Sequence, residues 1–178
     1  TSYKNDLSVW DQVMERFPNT AVLAVAGILV ALIIGIPAGI ISAKKQYSVV
    51  DNVSMVLSLI GVSMPNFWFG LLVVIVFALN LGWLPSQGMG EGGVELLKSL
   101  VLPALTLGTG CAATITRMTR SSMLEVIHQD YIDTAKAKGV SERTITFRHM
   151  LKNALIPIVT AVGLQFGTLL GGAMLTET

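Results

Sequence analysis

Charged side chains are scarce in this sequence, and their scarcity excludes an ordinary soluble domain. Asp, Glu, Lys and Arg make up 13% of the 178 residues, where a soluble domain carries about 25%. Hydrophobic residues account for 52%, and the mean hydropathy is +0.67. This composition is typical of an integral membrane protein. The formal net charge of +1 gives no reason to expect a nucleic-acid partner.

Cysteine and the common catalytic motifs are also missing. The single Cys111 has no second cysteine to pair with, which excludes a disulfide framework. His128 and His149 have no cysteine or paired carboxylate at ligand spacing, so no metal site is predicted. The sequence contains no phosphate-binding glycine loop, no His-Glu-x-x-His and no Gly-x-Ser-x-Gly. We therefore predict that the chain is not an enzyme and binds no cofactor itself.

The sequence contains four long stretches without charged residues. They approach or exceed the roughly 20 helical residues that cross a bilayer: 17–43, 52–90, 99–116 and 153–176. The second is too long for one span, and Trp83 near its end is typical of an interfacial loop. We predict helices at about 19–43, 52–80, 101–123 and 153–175. The predicted fold class is all-α, a polytopic bundle of transmembrane helices.

Lys and Arg fall on alternate connections, which gives the predicted orientation. Nine of the twelve basic residues lie in 44–50 and 117–152, and cytoplasmic connections carry the excess of Lys and Arg. The N-terminal arm 1–16 and the loop 81–100 each carry one net negative charge. We therefore place 44–50 and 124–152 in the cytoplasm, and the arm and the loop outside.

Glycines recur on single faces of two predicted helices. Gly35 and Gly39 lie one turn apart, and Gly163, Gly167 and Gly171 repeat every four residues. Small residues at this spacing allow another helix to approach closely. Close helix packing is the first interpretation, and direct contact with a substrate is the alternative.

A proline and a few polar side chains interrupt the predicted spans. Pro65 removes a backbone donor and should kink or break its helix. Ser63, Asn66 and Trp68 lie around it, so a pathway lining and a packing irregularity are both open there. Gln165 is the only amide deep in the last predicted span. Such a group either serves function or bonds a neighbouring helix.

The segment 124–142 has the pattern of a helix, a glycine corner and a second helix. Its apolar residues recur at helical spacing: Leu124, Ile127, Tyr131 and Ala135. Gly139 then supplies the left-handed geometry that ends a helix. Ser141 can cap the next helix, with Glu142 in its first turn. A solvated charged loop is the alternative, but it would not need these signals.

The same segment resembles the cytoplasmic signature of a known family. That signature is Glu-Ala-Ala, three residues, Gly, nine residues, then Ile-x-Leu-Pro. Here Asp133-Thr134-Ala135 is followed by Gly139 and by Leu151 at the leucine. Two positions depart from the signature: Asp-Thr replaces Glu-Ala, and Lys152 replaces the proline. The family comprises the membrane subunits of binding-protein-dependent ATP-binding-cassette importers. The two departures resemble its dipeptide, oligopeptide and nickel branch, as do further segments: 131–139, 149–154, 15–20, 63–70, 81–85 and 102–104.

The resemblance implies a type I importer permease with about six transmembrane helices, of which this piece would contain four. One more is expected before Thr1 and one after Thr178. An extracytoplasmic arm at 1–16 and a permease domain at 17–178 follow, with a coupling loop at 124–152. The residues expected to couple to an ATPase are Asp133, Thr134, Ala135, Lys136, Lys138, Gly139, Glu142 and Arg143. The candidate pathway-lining residues are Ser63, Asn66, Trp68 and Gln165.

The partners implied by the resemblance are a soluble ATPase subunit that carries ATP and Mg²⁺, a second homologous permease and an extracytoplasmic binding protein. The expected location is the plasma membrane of a bacterium or archaeon. Dipeptides, longer peptides, glutathione-like molecules and nickel all stay open as cargo. The alternative function is a channel or ion-coupled secondary transporter. Such proteins usually carry ionisable residues in their spans or a selectivity loop, and the charge-free stretches offer neither.

Overall fold

A computed structural model describes residues 9–86, 88 and 92–176, and every regular element within those ranges is helical. The α-helices are α1 Val9–Lys44, α2 Val49–Ser63, α3 Asn66–Val74, α4 Gly93–Ile127, α5 Asp130–Ala137, α6 Glu142–Thr144 and α7 Lys152–Thr176. A π-helical turn at Ile75–Asn80 continues α3, and a second at Ile145–Leu151 joins α6 to α7. The predicted all-α fold class is confirmed. Residues 1–8 of the predicted arm lie outside the described ranges.

Among the described residues, three helical runs are long and apolar enough to cross a membrane: Phe17–Lys44, Gly93–Ile127 and Glu142–Gly171. The pair formed by α2 and α3 with its π-helical turn passes the same test only when its two arms are taken together. The four predicted spans therefore become three continuous runs and one broken pair.

Pro65 breaks the helix predicted at 52–80, and the two arms meet at 102°. Met64 has φ −81° and ψ 126°, the extended geometry that a residue before proline prefers. The Met64 N–H still donates to the Ile60 carbonyl at 2.9 Å, which closes α2. The Pro65 carbonyl then accepts from the Trp68 N–H at 3.0 Å, and this bond begins α3. The end of α2 and the start of α3 are therefore both set by hydrogen bonds of nearby residues.

The other predicted helices were too short. α1 begins at Val9 instead of about 19, and α4 begins at Gly93 instead of about 101. The helix predicted from 153 is continuous with α6 and begins at Glu142. A charge-free stretch marks the part of a helix that suits hydrocarbon, whereas the backbone hydrogen bonds continue into the charged ends.

Small residues bring α1 and α4 into close contact. A Cβ atom added at Gly39 would lie 2.5 Å from Thr119 Cβ, and one added at Gly35 would lie 2.9 Å from the Ala112 carbonyl oxygen. On α4, a Cβ at Gly108 would lie 2.7 Å from a Val30 side-chain atom. The packing interpretation is therefore correct for Gly35 and Gly39.

The glycine face of α7 is different. A Cβ added at Gly163, Gly167 or Gly171 would meet no heavy atom within 4 Å among the described residues. The close approach predicted for this face is therefore not made inside the part of the chain that the structure describes.

Two hydrophobic clusters join α1, α4, α5 and α7. The larger contains Ile40, Ala43, Met123, Ile132, Ala135, Ile145, Met150, Ala154 and Ile158. The smaller contains Ala31, Cys111, Ala112 and Ile115. Within the described residues, neither cluster takes a side chain from α2 or α3. The bent pair is therefore attached to the bundle by other contacts.

Candidate functional site

Gly139 ends α5 with the geometry that the sequence predicts. Its φ is +72°, the left-handed region that glycine enters without a side-chain penalty. The Gly139 N–H donates to the Lys136 carbonyl at 2.9 Å, and the Val140 N–H donates to the Ala135 carbonyl at 3.2 Å. These two bonds satisfy carbonyls that the helix end would leave open. The corner is therefore fixed by backbone geometry.

The next helical turn is capped as predicted. The Ser141 hydroxyl accepts from the Thr144 N–H at 3.4 Å, and Glu142 lies in the first turn, where its charge suits the helix dipole. We call residues 129–144 the α5–α6 segment. It forms a short helix, a left-handed corner and a capped turn that leads through the π-helical turn into α7.

Seven of the eight predicted coupling residues lie on the exposed side of this segment. They are Asp133, Thr134, Lys136, Lys138, Gly139, Glu142 and Arg143. The eighth, Ala135, is buried in the larger hydrophobic cluster. Lys136 and Asp133 form an exposed ion pair at 3.2 Å, which contributes little to stability. The segment therefore presents a mixed-charge outer surface, while Ala135 belongs to its inner face.

The inner face of α5 anchors the segment to the bundle. Ile132 is 0% exposed, and it packs with Ala135 against α1, α4 and α7. The Asn153 side-chain amide at the start of α7 also donates to the Tyr131 hydroxyl at 2.9 Å. A displacement of α5 must therefore open this cluster or move the adjacent helix ends with it.

The single helix predicted from 124 to 138 is wrong. α4 continues to Ile127, the chain turns at His128, and α5 begins at Asp130. This interruption changes the helical phase, so that Ile132 points inward and Tyr131 is exposed. The prediction assumed one unbroken helical period from 124 to 138, whereas the turn at His128 interrupts the helix.

An aromatic and two basic side chains line a shallow surface cavity of about 400 Å³ beside the α5–α6 segment. Phe147 is 55% exposed, and Arg143, Thr144 and Arg148 complete the lining. Phe147 and Arg148 were not among the predicted coupling residues. An aromatic between basic residues just after the capped turn is the sequence signal that points to them.

The candidate pathway residues do not share one cavity. Ser63 and Trp68 line an open cavity of about 440 Å³ beside the α2–α3 bend. Asn66 lines a second cavity, of about 340 Å³, between the bend and helices α1 and α4. Ile60 and Met64 contribute to both. The bend therefore stands between two largely apolar spaces.

Gln165 lies near the Cys111 thiol on α4. This proximity favours the interpretation in which the amide faces a neighbouring helix. His128 Nδ1 lies 2.8 Å from the Leu124 carbonyl oxygen of its own turn. Among the described residues, no three His, Cys, Asp or Glu side chains are grouped as metal ligands.

A buried ion pair is the polar feature that sequence reasoning missed. Asp51, in the first turn of α2, is 1% exposed. Arg120 on α4 donates to both of its carboxylate oxygens, from Nε at 2.6 Å and from Nη2 at 2.7 Å. The Ser42 hydroxyl at the end of α1 and the Tyr47 N–H at 2.9 Å also donate to this carboxylate. Four donors from three parts of the chain therefore meet at one carboxylate.

The sequence model of the family described as "Binding-protein-dependent transport system inner membrane component" matches residues 35–178. The chain belongs to this family. The matched range contains the α2–α3 bend, the buried ion pair and the whole α5–α6 segment. The family predicted from the loop signature is therefore confirmed, and the chain is a polytopic helical component of an inner-membrane transport system.

Similar proteins carry peptide-transport names. The chain is 44% identical to the oligopeptide transport system permease protein AppB of Bacillus subtilis over 95% of its length and 55% of the relative's. It is 44% identical to the di/tripeptide transport system permease protein DppB of Pseudomonas aeruginosa, over 96% and 57%. It is 43% identical to the glutathione transport system permease protein GsiC of Escherichia coli, over 95% and 54%. The predicted peptide branch is confirmed.

This inner-membrane component spans little more than half the length of the curated relatives that it matches.

Proposed function

We propose that the chain is part of the permease subunit of an ATP-driven importer of short peptides. Together with a second homologous permease, it would form the translocation pathway. The observation that carries the proposal is the α5–α6 segment, whose outer face is exposed and charged and whose inner face is buried against three helices. Membership of the transport family supports it.

The α5–α6 segment is suited to receive a mechanical input from a soluble partner. Its exposed residues Asp133, Lys136, Lys138, Glu142 and Arg143 carry both signs of charge, and such surfaces select a partner by charge complementarity. Because the inner face is packed in the cluster, movement of the docked segment would be passed to the adjacent helix ends. We therefore assign ATPase coupling to this segment.

ATP and Mg²⁺ would bind on the partner ATPase, because this chain has no phosphate-binding loop. An extracytoplasmic binding protein would deliver the cargo. The permease domain would extend over 17–178, with the arm 1–16 outside and 124–152 in the cytoplasm. The plasma membrane of a bacterium or archaeon is the proposed location.

Short peptides are the proposed cargo because the relatives are named for oligopeptide, di/tripeptide and glutathione transport. Among the candidate pathway residues, Asn66 offers an amide to one cavity at the bend, while Ser63 and Trp68 line the other. We propose these three for the pathway. Gln165 stays a fourth candidate, although it lies near Cys111 of α4 and lines neither of these cavities.

Reconstituted uptake tests the proposal. The complete permease would be placed in proteoliposomes with its partner permease, ATPase subunit and binding protein, and uptake of a radiolabelled dipeptide, glutathione or nickel would be measured. We expect ATP-dependent uptake of peptide, abolished when the ATPase lacks its phosphate-loop lysine. Uptake that needs only an ion gradient would instead support the secondary-transporter alternative. ATP turnover by the permease alone would refute the assignment of hydrolysis to a partner.

A further inference from the structure

The bent pair α2–α3 is held to the bundle differently from the other helices. The buried residues of α2 are Asp51 and Ser58, and both are polar. Ser54 and Ser58 donate their hydroxyl hydrogens to carbonyls of their own helix, at 2.8 Å in each case. Gly61 supplies a close approach, since an added Cβ would lie 3.1 Å from Ala113 Cβ. The inner face of α2 is therefore small and polar along its length.

Among the described residues, Asp51 accepts the side-chain hydrogen bonds that join α2 directly to α4. Its two bonds from Arg120 are parallel and short, and a paired guanidinium and carboxylate fix both distance and angle. Removing one partner leaves a charge in a buried position, so such a pair is specific even where it adds little net stability. The pair therefore fixes one end of the bent pair relative to α4.

Arg120 is also connected to the α5–α6 segment through its own helix. Met123, three residues further along α4, is 0% exposed and belongs to the cluster that contains Ile132 and Ala135 of α5. α4 runs on without a break to Ile127 and reaches α5 after a short turn. The Asp51–Arg120 ion pair therefore connects the helix that leads to the segment proposed for docking with the helix that leads to the bend. This bend carries Ser63, Asn66 and Trp68.

We infer that Asp51 and Arg120 are positioning residues that pass displacement of the α5–α6 segment to the α2–α3 bend. This inference rests on the proposed function. Because α1, α4, α5 and α7 share the apolar cluster, they move together with α5. The bent pair has no side chain in that cluster, and the ion pair connects it to the moving helices. Without the pair, α2 and α3 keep contacts with α4 that have no fixed direction, such as those of Gly61 with Ala113 and Gly70 with Thr106. ATP hydrolysis then continues, but the bend no longer follows the movement of α4.

The test is the amount of peptide transported per ATP hydrolysed, measured in the complete reconstituted importer. We expect Asp51→Asn and Arg120→Gln each to lower this ratio at least tenfold, and the double variant to be no worse than either single variant, because one shared contact is lost. Membrane abundance and co-purification of the ATPase subunit should stay within about twofold in the double variant, which leaves no unpaired buried charge. In Arg120→Gln, which leaves Asp51 buried and unpaired, the ratio is measured per assembled importer. Arg117→Gln is the matched control: it removes an exposed charge one turn earlier on α4 and should leave the ratio unchanged.

Arg120→Lys keeps a positive charge beside Asp51, so it separates loss of the paired hydrogen bonds from loss of folding. Lysine cannot reproduce two parallel bonds to one carboxylate, so we expect a well-folded protein whose ratio is still lowered. An unchanged ratio in Arg120→Lys, or additive losses in the double variant, would overturn the inference. Failure of the unmodified importer to take up peptide with its ATPase overturns the proposed function and this inference together, whereas failure confined to the variants overturns the inference alone.

Discussion

Replacing Gly139 by valine strains the corner of the α5–α6 segment without bringing its Cβ against any neighbouring atom. A Cβ at this position meets nothing within 4 Å, and the backbone φ is +72°. The penalty is therefore purely conformational, at about 1–2 kcal/mol for a non-glycine residue in the left-handed region and more for a β-branched one. If the corner relaxes to avoid this penalty, the bonds from Gly139 and Val140 are lost and the outer face of α5 turns away.

A cost of about 1–2 kcal/mol corresponds to a factor of roughly 5–30 in an equilibrium constant. The apolar clusters are not touched, so Gly139→Val should reach normal membrane levels. We expect co-purification of the ATPase subunit to weaken by about tenfold, with a matching loss of uptake. Membrane abundance, ATPase binding and peptide uptake should be measured on the same preparations.

Three controls separate backbone strain from other effects. Gly139→Asn should be mild, since asparagine tolerates the left-handed region. Gly82 has φ +63° and equally open surroundings on the loop after α3, so Gly82→Val carries the same strain away from the docking surface and should bind the ATPase normally. Lys138→Gln removes one exposed charge and should have little effect. Full uptake by Gly139→Val with the ATPase still bound would remove coupling from this corner.

Three further predictions test orientation, packing and anchoring. In a cysteine-free background, Lys45→Cys and Ser86→Cys should react with an impermeant maleimide from opposite sides of the membrane, and same-side labelling would refute the topology. Gly39→Val should destabilise the α1–α4 contact by about 1–3 kcal/mol and lower membrane abundance. Gly163→Val, where space is open, should accumulate normally, and equal loss in both would contradict the packing. Tyr131→Phe should remove about 0.5–1.5 kcal/mol and accelerate amide exchange in α5, and unchanged exchange would show that this bond does not hold the segment.

The elements that sequence reasoning predicted well are those with local causes. Pro65 breaks its helix because the missing N–H and the extended residue before it act within a few residues. Gly139 and Ser141 end and begin helices for equally local reasons. Helix lengths were less predictable, because freedom from charge reports the membrane environment and not the hydrogen-bonded backbone.

Glycine spacing shows where such reasoning stops. Gly35 with Gly39 on α1 and Gly163 with Gly167 on α7 have the same separation, and the sequence assigns both pairs the same role. α4 lies against the first pair, whereas nothing in the described chain lies against the second. The spacing shows that another helix can approach the glycine face closely. The arrangement of the other helices decides whether one does so.

The site divides in the same way. The exposed face of the α5–α6 segment follows from its charges, but the choice of Ile132 over Tyr131 for the inner face depends on how α5 sits after the turn at His128. The Asp51–Arg120 pair joins residues 69 positions apart, and the sequence pattern assigned neither of them a role. Because Asp51 lies in α2 and Arg120 in α4, their contact is set by the tertiary fold. It is also where the proposed docking segment and the bend depend on each other, so the contact hardest to predict is the one whose loss should separate ATP hydrolysis from transport.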